Sequence, residues 1–234
     1  MLVPTKGDID SILSEYDELL KVLPSFAKYA VEVYKLVRLK RMRLFLESLS
    51  RMEEDLTSKQ KKRLRKVLES KEGQRILSDY IDSLLRTSSE ISIVAFALLY
   101  ADVEHERYSL SFKRQASVSL AGITDETVLL FLTIVRSLRT LQKKAQGPYP
   151  VYFCDERVIV NSDNEMVRSY FASPELLVSG VQELIQRRLL VPDYAQARFG
   201  LSSESVDVSF GFGKISEQFA DLLTRAEALR LQIF

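Results

Sequence analysis

Very few side chains in this sequence are equipped for chemistry on a substrate. Histidine occurs once, as His105 between Glu104 and Glu106, and cysteine once, as Cys154 inside the apolar run Val151-Tyr152-Phe153-Cys154. A metal centre needs several His, Cys or carboxylate ligands converging on one point. One histidine with no cysteine nearby does not start such a set, and it reads as a surface residue in a turn. A thiol in an apolar strand reads as a buried, inert group rather than a nucleophile. There is no G-x-S-x-G, no phosphate-binding P-loop and no G-x-G-x-x-G; Gly211-Phe212-Gly213 lacks the third glycine and the following helix context. Acids are plentiful, but Asp163 with Glu165, and Glu53 to Asp55, have no spacing that separates them from solvated loop acids. A hydrolase built on scattered carboxylates is the weakest of the readings. The residues predict no catalytic group, no metal ligand and no cofactor.

Positive charge is the more distinctive feature. Lys35, Arg38, Lys40, Arg41 and Arg43 form one basic run, and Lys59, Lys61, Lys62, Arg63, Arg65 and Lys66 form a second. Such clusters bind phosphates through charge and counterion release without reading sequence. They can equally meet anionic lipid headgroups. The plain alternative is a solvated face balanced by the chain's acids, since 33 Lys and Arg stand against 32 Asp and Glu, a net charge of +1.

The elements that carry these groups read mainly as helices. The chain has 234 residues, 46% apolar and 28% charged, with only 8 glycines and 6 prolines, a globular composition that favours helix. A single cysteine forbids an internal disulfide and fits a reducing compartment. No signal-like segment opens the chain and no apolar run is long enough to span a membrane, so a cytoplasmic location is expected.

Asp8 can cap a first helix, and the a positions Ile9, Tyr16, Leu23, Ala30, Val37 and Leu44 with d positions Ile12, Leu19, Phe26 and Val33 continue past Pro24. Regular heptads raise a homodimer through the N-terminal helices. The alternative is two amphipathic helices, broken or kinked at Pro24, packing within their own domain. Thr57-Ser58-Lys59-Gln60 and Thr87-Ser88-Ser89-Glu90 have capping-box spacing. Behind the second runs an apolar segment from Ile91 to Ala101 that must be buried on every side, the expected core helix. Helices over 106–121 and 125–145 are expected around it, joined by Gly122 as C-cap and Thr124 as N-cap.

After Gly147-Pro148-Tyr149-Pro150 the character changes, and that cluster sets the expected boundary between a helical bundle, 1–147, and a smaller α+β part, 148–234. Val151 to Cys154 and Arg157 to Val160 read as a hairpin around Asp155-Glu156. Pro174 opens a helix that runs to Arg188; Leu189-Leu190-Val191 and Ser205 to Phe210 read as strands, and Ile215 to Leu231 as a last helix. This order is winged-helix-like. In a DNA-binding version Gln182, Gln186, Arg187 and Arg188 would reach base edges. Glu175, Glu183, Glu204 and Asp207 disfavour phosphate nearby, and many such modules bind only protein.

Residues 43–50, 91–102 and the pattern over 182–223 resemble those of a loose group of bacterial helical proteins with a winged-helix-like tail, some associated with anti-phage defence. The resemblance implies a mainly α fold and an interaction role, and it transfers no functional residue. The expectation is a non-catalytic adaptor or sensor subunit with a protein partner, its basic helices docking an anionic surface. The alternative is a DNA-binding regulator.

Overall fold

The computed structural model describes residues 25–55, 57–59, 61–62, 66, 70–102, 107–144, 149–154, 174–193 and 208–233. The elements are α1 (Ser25–Asp55), α2 (Lys71–Arg86), α3 (Glu90–Ala101), α4 (Leu110–Leu120), α5 (Asp125–Ser137), β1 (Gln142–Lys144), β2 (Val151–Cys154), α6 (Pro174–Gln186), β3 (Val191–Pro192), β4 (Val208–Gly211) and α7 (Lys214–Ile233). The fold is mainly α with a small α+β region. Two compact units are distinguished, Met1–Lys40 and Arg41–Phe234, with α1 contributing to both. The 147/148 boundary expected from the Pro/Gly cluster falls inside the second unit, where β1 pairs with β2 and α7 packs on α3. The first helix expected from Asp8 to Leu23, and with it most of the heptad stripe, lies outside the described residues, as do His105 and the run 157–160.

The second unit is organised around α3. Every residue from 91 to 100 is buried, including Ser92. Helices α2, α4, α5 and α7 all pack against it, α7 most extensively. A helix with no polar face gains stability only when sheathed in this way, each large apolar side chain contributing about 1.5–3 kcal/mol on burial.

Its start is fixed by two sources of acceptors. Ser89 is the N-cap, its hydroxyl accepting from the Ser92 amide at 2.9 Å. Asp125, at the first turn of α5, accepts from the Ser89 hydroxyl at 2.7 Å and from the amides of Glu90 and Ile91, both at 3.2 Å. The Thr87 capping box is therefore displaced by two residues. Thr87 instead donates its hydroxyl to the Ile123 carbonyl at 2.9 Å, tying the α2–α3 turn to the α4–α5 turn.

That second turn follows expectation: Gly122 takes a left-handed φ of 71°, and Thr124 caps α5 by accepting from Thr127 N. The flanking helices are shorter than expected, for local reasons. The helix expected from residue 106 starts only at Leu110, because the amides of Arg107 and Tyr108 are turned onto the Asp102 carboxylate and Ser109 becomes the N-cap. The helix expected to reach 145 ends at Ser137. The Ser137 carbonyl closes a turn by accepting from Thr140 N and Leu141 N, and Gln142–Lys144 is drawn into strand pairing.

The sheet is antiparallel throughout, in the order β1-β2-β4-β3. Both edges of β2 are occupied, by β1 and β4, so a hairpin between Val151–Cys154 and the run at 157–160 has no free edge to form on. Gly211 pairs with both Val151 and Val191, and a Cβ there would collide with the Tyr149 ring, so only glycine fits. The exit from α6 is a Schellman motif with Arg188 as its left-handed residue, φ 63°. Leu189 N donates to Leu184 O and Arg188 N to Ile185 O, both at 2.9 Å. This turn sends the fully buried Leu189 and Leu190 into the core before the strand begins at Val191, two residues later than expected.

Candidate functional site

The polar groups of the interior are consumed in holding helices together. Arg107 donates to Asp221 through Nε (3.0 Å) and Nη2 (2.8 Å), Tyr108 donates its hydroxyl to the same carboxylate at 2.5 Å, and Arg225 donates to the Tyr108 oxygen at 3.1 Å. This cluster fastens the turn before α4 to α7. The Arg107 hydrogen bond holds the Asp221 carboxyl below its ordinary value against an opposing effect of burial, while burial pushes the Tyr108 phenol up to about 12.

The pH consequence follows from the sign of the Asp221 shift. A carboxylate with a depressed folded-state value contributes stability that is fully present above its unfolded value and is lost as pH falls through the folded one. Asp221→Asn is therefore expected to lower the urea midpoint at pH 7 and to differ little from the parent at pH 2.5. A deficit equal at both pH values would show that the carboxylate charge is not what binds.

The basic residues expected to dock polyanions separate into three groups. In the unit Met1–Lys40, Lys35, Arg38 and Lys40 lie in a stretch, 33–40, in which every residue is exposed. The guanidinium of Arg38 sits over the Tyr34 ring, 4.4 Å from its centroid. The heptad residues Val33 and Val37 are exposed here too, and Leu36 and Leu39 are 68% and 67% exposed. Sequence reading missed Tyr34, Leu36 and Leu39, because it assigned the apolar face of this helix to the heptad stripe alone.

In the second unit, Arg41 is half-buried and donates through Nη1 to the Leu85 carbonyl at 2.7 Å, capping the end of α2, and Arg43 pairs with Glu47 at 2.6 Å. Arg41 is thus a structural residue, and Arg43 is neutralised along its own helix. Lys59, Lys62 and Lys66 are exposed and helical, and Lys61 is half-buried. The i, i+3, i+7 spacing of the first three stacks them on one helix face. Arg63 and Arg65 lie outside the described residues.

The base-reading candidates divide as well. Gln182, Gln186 and Arg188 are exposed on or just after α6. Arg187 is not available to reach a base. Its Nε donates to Glu183 at 2.7 Å, Nη1 to the Ala121 carbonyl at 2.8 Å and the Ser119 carbonyl at 3.3 Å, and Nη2 to Gly122 O at 3.1 Å. One guanidinium closes the carbonyl end of α4 from a residue 65 to 68 positions away. Adjacent arginines look alike in sequence, and only the left-handed turn at Arg188 decides which of them faces inward.

Among the described residues, no three His, Cys, Asp or Glu side chains converge where they could hold a metal ion, and no helix is long and apolar enough to cross a membrane. No family model, no curated protein and no solved structure matches this chain.

Proposed function

We propose that this chain is a non-catalytic interaction protein, an adaptor or sensor subunit, that docks an anionic partner on its basic helices. The observation that carries the reading is the stripe of Lys59, Lys62 and Lys66, exposed on one helix face. Stacked ammonium groups at that spacing follow a line of phosphates or carboxylates. The stretch 33–40, separately, offers Lys35, Arg38 and Lys40 beside exposed Tyr34, Leu36 and Leu39, a mixture suited to a protein partner with an acidic, partly apolar surface. A second copy of the chain, meeting through the exposed Val33 and Val37, is the homodimeric form of the same idea. A cytoplasmic setting in a bacterial defence system belongs to the proposal through the resemblance in residue order.

Replacing Lys59, Lys62 and Lys66 together with Gln tests the reading. Exposed charges contribute little to folding, within about 0.5 kcal/mol each, so the melting temperature is expected to hold. Binding to an anionic probe is expected to drop at least about tenfold, each lost phosphate contact weakening the complex. Unchanged binding with an unchanged melt would remove the stripe from the mechanism.

A DNA-binding regulator remains as a second reading because α6 leads into the antiparallel pair β3–β4, with β2 as the third strand beside β4, the order of a winged helix. With Arg187 committed to α4, that reading rests on Gln182, Gln186 and Arg188.

A further inference from the structure

A pocket of about 40 Å³ opens between α2 and α4, larger than the roughly 10–15 Å³ that one water requires. Arg75, Asp79 and Tyr80 line it from α2, and Lys113, Arg114 and Ser117 from α4. Spacings of four residues on α2, and of three and four on α4, bring one face of each helix to the same opening.

The lining is rich in hydrogen-bond donors. Among the described residues, the Arg75 and Arg114 guanidinium groups make no hydrogen bond or ion pair. Lys113 is buried, pairs with the Asp102 carboxylate at 3.2 Å and donates to the Asp102 carbonyl, which leaves one of its three N–H groups. Burial lowers its pKa, and the nearby Asp102 opposes that. The Tyr80 hydroxyl is the most informative group. The residue is only 2% exposed, and its oxygen has no hydrogen-bond partner. Burial, with Asp102 and Asp79 close by, raises the phenol well above its ordinary value, so it stays protonated and can donate. A buried hydroxyl left unpaired is costly, and one facing a pocket of cations is satisfied by a ligand that accepts. Ser117 already donates to the Arg114 carbonyl at 2.8 Å, and Asp79 is the acceptor in the lining.

We infer that this pocket binds a phosphate group, as free phosphate or a phosphate monoester, held by Arg75, Arg114, the free N–H of Lys113 and the Tyr80 hydroxyl. Arginine forks suit tetrahedral oxyanions because they donate two parallel N–H groups. Asp79 faces the rim and disfavours a second charged group beside the phosphate. The inference is independent of the docking stripe.

Calorimetric titration of the full chain with inorganic phosphate, and separately with glycerol 3-phosphate, tests it. Binding of at least one is expected. Tyr80→Phe is expected to weaken binding about tenfold or more, since a hydrogen bond to a charged group is lost. The same variant should melt no lower than the parent without ligand, because it removes only an unpaired hydroxyl. Arg114→Ala, at an exposed position, should weaken binding similarly, whereas the Lys59, Lys62, Lys66 triple variant should bind phosphate normally. A monoester that binds tenfold tighter than phosphate identifies an esterified ligand; equal affinities identify free phosphate. Absence of binding by both compounds, or binding unaffected in both Tyr80→Phe and Arg114→Ala, would overturn the assignment.

Discussion

Phe96→Ala is expected to destabilise the protein by about 3–5 kcal/mol, the range for emptying a large aromatic site in a packed core. Phe96 has no exposed surface and stacks on Tyr80 with ring centroids 5.8 Å apart. It sits in the middle of α3, which has no polar face to rotate outward, and helices approach it from several sides. The surroundings therefore cannot collapse into the void by moving one side chain. For a protein of this size the loss corresponds to a fall in melting temperature of roughly 10 °C. Urea unfolding of parent and variant measures it directly. A loss below about 1 kcal/mol, the level of a tolerant surface site, would mean that α3 is not the centre of the fold.

Arg187→Ala is expected to cost about 2 kcal/mol, and its neighbour Arg188→Ala close to nothing. The first change leaves the carbonyls of Ser119, Ala121 and Gly122 without their shared donor and frees Glu183. Hydrogen bonds to a charged group contribute about 1.5–3 kcal/mol each but do not add when they share one donor group. Arg188 is exposed and makes only backbone hydrogen bonds in the turn. Chemical denaturation of both variants separates the two arginines. If Arg187→Ala were as stable as the parent, its guanidinium would be free for a partner and the base-reading proposal would regain its strongest member.

The core was legible where composition alone decides burial. An apolar run at 91–101 has one physical solution, and α3 takes it. Gly122 and Thr124 were legible because each residue type answers one backbone need, a positive φ and an N-cap acceptor. Helix ends were less so. Asp102, acting on the amides of Arg107 and Tyr108, delays α4, and pairing with β2 takes Gln142–Lys144 out of a helical continuation. Both effects come from partners that no local pattern announces. The basic runs were visible as charge, but sequence could not say that Arg41 caps α2 while Lys59, Lys62 and Lys66 stay exposed. The pocket was invisible for the same reason: Arg75 and Tyr80 meet Lys113 and Arg114 only once α2 lies beside α4.

The central claim, docking of an anionic partner by the lysine stripe, is tested most directly by a salt series. Binding of the purified chain to duplex DNA, single-stranded RNA and anionic vesicles would be followed by fluorescence anisotropy or co-sedimentation as salt is raised. Three lysines on phosphates of a duplex predict a slope of log affinity against log salt of about −2.7. Changing all three to Gln should flatten it by about 3 units, one for each contact. Steep binding to at least one probe, flattened in that variant, is the predicted result. No binding to any of the three, or binding with a slope the variant leaves unchanged, would contradict the account and return those lysines to a solvated face.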